Sequence, residues 1–380
     1  MGLLVSSFIL LFASRRDSPG ASRQPDIRTA AVYVATGDGA IRAFRGSNGA
    51  LLWSRKLGHQ FEGPALVSTQ GTLYAASIDG IVFALSSATG EIRWRTPIKD
   101  RQLDFSSVQL STDGRFVAVG FGGNRPTGSY IEVFDARNGH HLWSSQQPVV
   151  VLLGLIGGVV YVTQGQQLNL MNLSTLALRA QDGRQLWKAA RVVIAPATAG
   201  ASSLVVVGNT VYGYGDKLYA FNARQGTLLW QQPKACDGVP GMLVVGSNLL
   251  YLATQNRFCA YRQRDGAQIW CTNVKNRGNY FEDFEQVVYM NHKVYVGRGG
   301  SNPSGFVIEA REAASGKLDW SWPASAGQLS PDISWPFAGG RGVLYVPSPA
   351  GELIAVRASD GKELWRHKLD FGLGLLAAES

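Results

Sequence analysis

Closely spaced carboxylates near residue 283 are the residues of this sequence with the clearest potential for chemistry. Glu282, Asp283, Phe284 and Glu285 follow one another, so Asp283 and Glu285 are two positions apart. In a β-strand, residues two apart point to the same face, and these two carboxylates would lie side by side. Such a pair could bind a cation, or each carboxylate could raise the pKa of the other. The alternative is a structural pair that meets arginines or backbone donors.

Two long loops of similar sequence extend the candidate site. Residues 122–128 and 299–305 share the pattern Gly-Gly-x-x-Pro-x-Gly. Long loops on a repeating scaffold often carry function, although simple loop growth is the alternative. Other polar and aromatic residues fall in segments that we expect to join repeats. We therefore predict a candidate binding face that consists of Glu62, Asp104, Arg125, Asp283, Glu285, Arg298 and Trp335.

The histidines and cysteines do not have the spacing of a metal site. The chain has three cysteines and no C-x-x-C motif, and no histidine has a ligand-spaced partner. Cys259 and Cys271 lie symmetrically about Gly266, so in a hairpin they could face each other and form a disulfide; buried free thiols are the alternative. No Ser–His–Asp signature, phosphate loop or nucleotide fingerprint is present. We predict no catalytic and no metal-binding residue, which argues against an enzyme.

The chain of 380 residues is basic, with 36 Lys and Arg against 27 Asp and Glu and a net charge of +9. These basic residues are scattered singly or in pairs, without a run or a helical stripe. Nucleic-acid binding needs a clustered patch that faces phosphates, so we exclude nucleic acid as a partner. The apolar fraction of 45% is ample for a core.

One recurring frame must position all of these residues. It consists of a small residue, a Gly six positions later and a Trp four positions after that Gly. The small residue is Val133 in one copy and Ala in the others. The Gly suits a hairpin turn with positive φ, and the Ala leaves room for a Trp of its own hairpin or of the next one. The frame holds eight of the ten tryptophans, namely Trp53, Trp94, Trp143, Trp187, Trp230, Trp270, Trp320 and Trp365.

Each copy of the frame has the pattern of four short strands. An apolar run around an aromatic residue leads through a Gly-containing turn to the run with the small residue, and the Trp run follows. Another short run lies upstream in most copies. Consecutive framing tryptophans are 40–50 residues apart, which is typical of one blade of a β-propeller. We therefore predict an all-β fold, an eight-bladed β-propeller of four-stranded antiparallel blades.

The residues beside the framing tryptophans predict how the blades pack. Six copies have Leu or Ile directly before the Trp, and adjacent strand residues point to opposite faces. An open sheet with one wet face would instead alternate apolar and polar residues. We therefore expect both faces of each Trp strand to be buried between neighbouring blades.

The two ends of the chain are expected to complete the same blade. Blade 1 has no obvious first strand, while the chain continues for 15 residues beyond Trp365. The offset found in blade 2 places the missing strand at residues 376–378. Its pairing beside residues 32–34 would close the ring and remove an open edge. We assign residues 29–380 to the propeller.

Residues 1–28 precede the propeller as an apolar segment and a linker. Residues 3–13 are apolar but too short to cross a bilayer, which takes ~20 residues. They are typical of the hydrophobic region of a signal peptide, although no basic stretch precedes them and no Cys follows to be lipidated. We expect an extracytoplasmic protein (periplasmic, cell-surface or secreted) with membrane proximity through this segment. The alternative is a disordered start of the chain.

The frame Ala-x5-Gly-x3-Trp, preceded by a Tyr-Val strand, resembles the pyrroloquinoline-quinone (PQQ) repeat over residues 31–380. It does not resemble WD40, because no framing Trp is followed by Asp. The resemblance implies one of two branches. Quinoprotein dehydrogenases bind PQQ with calcium at the channel mouth, and many have two adjacent cysteines that this chain does not have. The propeller lipoprotein of the bacterial outer-membrane β-barrel assembly machinery does no chemistry and binds partner proteins.

The modest length and the missing cofactor residues fit the second branch better. We expect a monomeric, non-catalytic scaffold without a cofactor, which binds proteins or extended polypeptides at its loop-rich end or by strand addition along a blade edge. Two alternatives stay open. One is a PQQ- and calcium-dependent quinoprotein oxidoreductase with a degenerate site. The other is a sugar- or cation-binding propeller that uses Asp283, Glu285 and Trp335.

Overall fold

The fold is built from β-strands. The computed structural model describes fourteen stretches of the chain, namely residues 31–61, 65–98, 107–122, 130–145, 149–164, 174–190, 204–232, 240–254, 257–273, 282–300, 306–323, 337–348, 351–369 and 373–378. Within these stretches every regular element is a strand. They contain no helix of the length and apolar character that a membrane crossing requires.

The strands alternate with short turns along the whole described chain. The first sixteen are β1 (Ala31–Thr36), β2 (Ala40–Arg45), β3 (Leu51–Lys56), β4 (Leu66–Thr69), β5 (Thr72–Ala76), β6 (Ile81–Ser86), β7 (Ile92–Pro97), β8 (Ser107–Thr112), β9 (Phe116–Gly122), β10 (Tyr130–Asp135), β11 (His141–Ser144), β12 (Val149–Ile156), β13 (Val159–Gln164), β14 (Ser174–Arg179), β15 (Gln185–Ala190) and β16 (Leu204–Val207). The others are β17 (Thr210–Tyr214), β18 (Leu218–Asn222), β19 (Leu228–Gln232), β20 (Pro240–Gly246), β21 (Leu249–Thr254), β22 (Arg257–Arg262), β23 (Gln268–Asn273), β24 (Glu282–Met290), β25 (Lys293–Gly300), β26 (Val307–Glu312), β27 (Leu318–Trp322), β28 (Ala338–Gly340), β29 (Val343–Ser348), β30 (Glu352–Arg357), β31 (Glu363–Lys368) and β32 (Leu373–Ala378).

The described strands form eight four-stranded antiparallel sheets, one for each repeat. The first strands of successive sheets contact one another around a full circle, from β4 through β8, β12, β16, β20, β24 and β28 to β32 and back to β4. They therefore surround a central axis, and the fourth strand of each sheet forms the outer edge. The predicted eight-bladed β-propeller is confirmed.

Blade 1 combines the two ends of the chain. Its strand order is β3-β2-β1-β32, and Val32 lies opposite Ala378 while Val34 lies opposite Leu376. The C-terminal strand thus supplies the first strand of a blade whose other three strands come from the N-terminal end. The predicted ring closure is confirmed.

The framing glycines form the hairpin turns before the outer strands. All eight have a φ between 69° and 74°, a region that residues with a Cβ rarely adopt. A β-bulge follows each turn. In blade 1, Phe44 lies opposite Leu51 and Ala43 lies opposite Trp53. Leu52 is therefore an extra residue in the outer strand, and the same shift recurs in the seven other described hairpins of this type.

The second and third strands of the blades hold most of the core. All residues of β1, β5, β21 and β29 are buried, with no alternation between a wet and a dry face. This pattern follows from the ring, because a neighbouring blade covers each face of a blade. Both faces of these inner strands are therefore buried between neighbouring blades.

The outer strands differ from these inner strands. The residue directly before the Trp is well exposed in several blades, with exposed fractions of 42% for Leu52, 40% for Leu186, 53% for Leu229 and 40% for Ile269. Blades radiate from the axis, so the gap between neighbours widens with radius, and these residues before the Trp stay exposed although the Trp itself contacts the next blade. The predicted burial of both faces is wrong for the outer strands.

Candidate functional site

The framing Trp of each blade packs against the framing Gly of the next blade. A Cβ built on Gly90 would lie 2.5 Å from Cε3 of Trp53, and one built on Gly139 would lie 2.5 Å from Cε3 of Trp94. The same contact recurs through all eight junctions, including that of Trp365 with Gly49 across the ring closure. The Gly therefore has two roles, because it permits the turn and it leaves space for the neighbouring indole.

A hydrogen bond accompanies the contact. The indole Nε1 of Trp94 donates to the carbonyl oxygen of Ala136 at 2.9 Å, three residues before Gly139. Six other framing tryptophans make the equivalent bond, at 2.7–3.0 Å, among the described residues. The exception is Trp320, whose Nε1 has no partner in the described part of the chain.

Buried tyrosines contribute a second donor to the same carbonyl groups. The hydroxyl of Tyr74 donates to Ala136 O at 3.3 Å, and that of Tyr251 donates to Ala313 O at 3.2 Å, which also accepts from Trp270. Burial raises the pKa of Tyr74 and raises that of Tyr161 to about 12. These hydroxyls consequently stay protonated at physiological pH.

The small residue of the frame lies between the two aromatic rings. In blade 2, Tyr74 lies opposite Ala84 and Ala84 lies opposite Trp94, and the ring centroids of Tyr74 and Trp94 are 6.0 Å apart. Ala leaves room for this pair, as predicted. In blade 3 the larger and the smaller residue of this pair are exchanged. Val133 occupies the position of the Ala, and Ala118, which lies opposite it, occupies the position of the Tyr.

Most of the predicted candidate binding face lies outside the described residues. The described stretches of the chain do not include Glu62, Asp104, Arg125 or Trp335. They also do not include residues 1–28 or Cys236. These predictions therefore stay predictions.

Asp283 and Glu285 belong to β24, which is the first strand of blade 7. Phe284 lies opposite Arg298 and Gln286 lies opposite Gly297, so the register shifts at Glu285. Strict alternation, the basis for placing both carboxylates on one face, does not extend across this bulge. Their shared role stays a prediction.

Arg298 belongs to a charged cluster within blade 7. Its Nε lies 3.3 Å from Oε1 of Glu309, and Oε2 of Glu309 accepts bonds from Nε and Nη2 of Arg311 at 2.9 and 2.7 Å. Glu309 is only 8% exposed, so two guanidinium groups compensate its burial. A signal for this cluster was present in the sequence, because a Glu in a third strand, buried on both faces, needs a partner.

Two described histidines contact single polar or acidic groups at hydrogen-bond distance rather than ligand sets. Nδ1 of His59 lies 2.5 Å from Oδ2 of Asp79, and Nε2 of His141 lies 2.9 Å from Ser144 Oγ. Among the described residues, no group of three or more His, Cys, Asp or Glu side chains could hold a metal ion.

Cys259 and Cys271 form a disulfide across the hairpin of blade 6, which resolves the alternatives that the sequence left open. The two residues lie directly opposite each other in β22 and β23, and their Cα atoms are 4.1 Å apart.

We expect this disulfide to protect both cysteines from alkylation. Denatured protein treated with iodoacetamide should gain one adduct, at Cys236, and reductant should raise the number to three, as counted by mass spectrometry. The Cys259→Ser/Cys271→Ser variant should lose about 2–3 kcal/mol of stability. Three adducts without reductant would contradict the pairing.

Comparison with known proteins identifies the repeat family. The family model described as "Outer membrane protein assembly factor BamB" matches residues 37–272, 127–321 and 304–374. The chain is 24% identical to the tetrathionate hydrolase of Acidithiobacillus ferrooxidans over 371 aligned residues, which cover 82% of this chain and 67% of the hydrolase.

Two proteins named BamB are also similar. The assembly factor of Yersinia pestis is 24% identical over 62% of this chain and 60% of its own length. The crystal structure of BamB from Moraxella catarrhalis has a TM-score of 0.57 at 16% identity, over 81% of this chain and 86% of that protein. Repeat, propeller and family model agree, and the chain belongs to the family described as outer membrane protein assembly factor BamB.

Proposed function

We propose that this protein is a non-catalytic scaffold that binds other proteins outside the cytoplasm. The observation that carries this proposal is its membership of the assembly-factor family, whose model matches from residue 37 to residue 374. Relatives of that name span several bacteria. The expected partners are proteins or extended polypeptides, and the propeller acts as a monomer without a cofactor.

Two features support a location outside the cytoplasm. The disulfide between Cys259 and Cys271 is typical of proteins in oxidising compartments. The apolar residues 3–13 are typical of the hydrophobic part of a signal peptide. A protein that reaches the periplasm or the cell surface by this route meets partners close to a membrane.

A hydrolase is the second candidate function. The observation that favours it is the similarity to tetrathionate hydrolase, which extends over 82% of the chain. The chain covers 67% of that enzyme, so hydrolysis of tetrathionate is a reaction to test. The quinoprotein and the sugar- or cation-binding alternatives also predict defined ligands.

Ligand-induced thermal shifts and turnover separate these functions. We expect purified protein to show no shift in melting temperature with PQQ and calcium, no dye-linked alcohol oxidation and no loss of tetrathionate. A ligand raises the melting temperature of a protein when it binds only the folded state. A scaffold has no binding site for these small molecules, so they should not raise its melting temperature. Differential scanning fluorimetry and both assays check this.

Each contrary result identifies one alternative. A calcium-dependent shift together with alcohol oxidation would establish a quinoprotein, and consumption of tetrathionate would establish a hydrolase. A shift with calcium alone that is lost in Asp283→Ala, while the unliganded variant melts like the parent, would establish a cation site at β24. Any of the three would overturn the scaffold proposal.

A further inference from the structure

The outer edges of the blades expose unpaired backbone and apolar side chains together. Each outer strand has a sheet partner on one side only, so a row of N–H and C=O groups is left without strand partners on the other side. In β3, Leu51 and Leu52 have exposed fractions of 53% and 42%. In β19, on the opposite side of the ring, Leu228 and Leu229 have exposed fractions of 49% and 53%.

Charge distinguishes the edges of blades 1 and 2 from the others. Strand β3 contains Arg55 and Lys56, strand β7 contains Arg93 and Arg95, and neither contains a carboxylate. Within the described residues none of these four cations forms an ion pair. Strand β19 contains no charged residue.

Among the described residues, each of the other outer strands contains at most one Lys or Arg without an ion pair, namely Lys188 in β15 and Lys368 in β31. In β31 of blade 8, Arg366 lies 3.0 Å from Glu363 and 2.9 Å from Glu352. The excess of positive charge is therefore concentrated on two adjacent blades. We define the blade 1–2 rim as Leu51, Leu52, Arg55 and Lys56 of β3 with Arg95 of β7.

The two strands of this rim face a common cleft. Nε of Arg55 donates to the carbonyl oxygen of Gly90 in blade 2 at 3.0 Å, so this side chain points from blade 1 towards blade 2. Thr96 shares the face of Trp94 that contacts blade 3, because its hydroxyl donates to Gly139 O at 2.7 Å. Arg95, on the opposite face of β7, consequently points back towards blade 1, whereas Arg93 donates to Thr72 Oγ1 within blade 2 at 2.5 Å. Both arginines are exposed.

A second copy of the chain fits this rim poorly. No pairing of β3 with β3 of another molecule supplies a carboxylate. In-register parallel pairing places Arg55 and Lys56 beside the same cations, which is destabilising, and symmetric antiparallel pairing places them opposite Leu52 and Leu51. An acidic strand would meet opposite charges at those positions. The cations of the rim thus disfavour a second copy of the chain and favour an acidic strand.

We propose that the blade 1–2 rim binds an extended polypeptide with alternating apolar and acidic residues, which adds to β3 as a further strand. The backbone of β3 supplies hydrogen bonds, the two leucines supply apolar contact, and Arg55, Lys56 and Arg95 select carboxylates. This inference deepens the proposed scaffold function and rests on it. The turnover assays above do not involve the rim, so they test the function independently.

A fluorescent peptide of alternating Glu and Val tests the rim on the full chain by anisotropy. We expect saturable binding that weakens at high ionic strength. Lys56→Gln/Arg95→Gln should weaken it by about tenfold or more. Outer-strand positions of blade 5 provide the control, because Leu229→Glu/Gln231→Glu lowers the net charge by the same two units and should leave the affinity within about twofold. Both double variants change exposed side chains and should melt like the parent.

Two further peptides make the result decisive. A Lys and Val peptide and a Glu and Val peptide with a central Pro should both bind at least about tenfold more weakly, because the first lacks carboxylates and the second cannot complete a strand ladder. Equal weakening by the two double variants would overturn the proposed site. Equal binding of the Pro-containing peptide would overturn strand addition, and absence of Glu and Val peptide binding would overturn the whole proposal.

Discussion

Deletion of residues 373–380 should lower the melting temperature by ~10 °C or more, because it removes the strand that closes the ring. Strand β32 pairs with β1 along Val32–Thr36 and contacts the first strands of blades 2 and 8. Its loss would leave β1 as an open edge next to the axis, although Val32, Tyr33 and Val34 are at most 1% exposed in the intact ring. Thermal unfolding followed by circular dichroism measures the change.

A shorter deletion is the control for this prediction. Removal of residues 379–380 takes away two residues beyond the end of β32 and should leave the melting temperature unchanged. The comparison separates closure from any general effect of a shortened terminus. Equal melting temperatures for the long deletion and the parent would show that the ring is held together without its closing strand.

Substitution of Gly90 by Ala should destabilise the propeller much more than substitution of Gly58 by Ala. Both glycines have positive φ, 69° for Gly90 and 77° for Gly58, so each Ala costs about 1–2 kcal/mol of backbone strain. A Cβ on Gly58 would meet nothing within 4 Å, whereas one on Gly90 would lie 2.5 Å from the Trp53 ring. Forced displacement of a packed indole should add about 1–3 kcal/mol. Urea unfolding of the two variants gives the difference.

A double-mutant cycle tests the proposed cause of that difference. In a Trp53→Ala background the ring is absent, so Gly90→Ala should cost only the backbone strain and match Gly58→Ala. Trp53→Ala by itself should also destabilise the junction between blades 1 and 2, because Trp53 Nε1 donates to Ser87 O at 2.9 Å. An equal cost of Gly90→Ala in both backgrounds would contradict the contact.

The candidate binding face shows where prediction from this sequence ends. Spacing and residue type suggested carboxylates and loops, but only Arg298 among the predicted residues has a described side chain, and it lies beside Glu309. The positive charge of Arg298 thus interacts with Glu309 inside the blade, as well as with any ligand. The two residues lie on adjacent strands of one blade, β25 and β26, and residue spacing alone does not give the register that brings them together.

The sequence by itself determined the blades, their number, their turns and the closure of the ring. These properties are local or repetitive, since positive φ selects Gly at Gly49 and its equivalents, and a small residue is needed opposite each Trp. Only the tertiary structure decided that each Trp packs on the Gly of the next blade, and that Leu52 and Leu229 face solvent. Those outcomes depend on the spacing of neighbouring blades, which widens with radius, and on a bulge that interrupts the alternation of faces. The rim with the clearest binding potential therefore emerged from residues whose pattern alone had predicted burial.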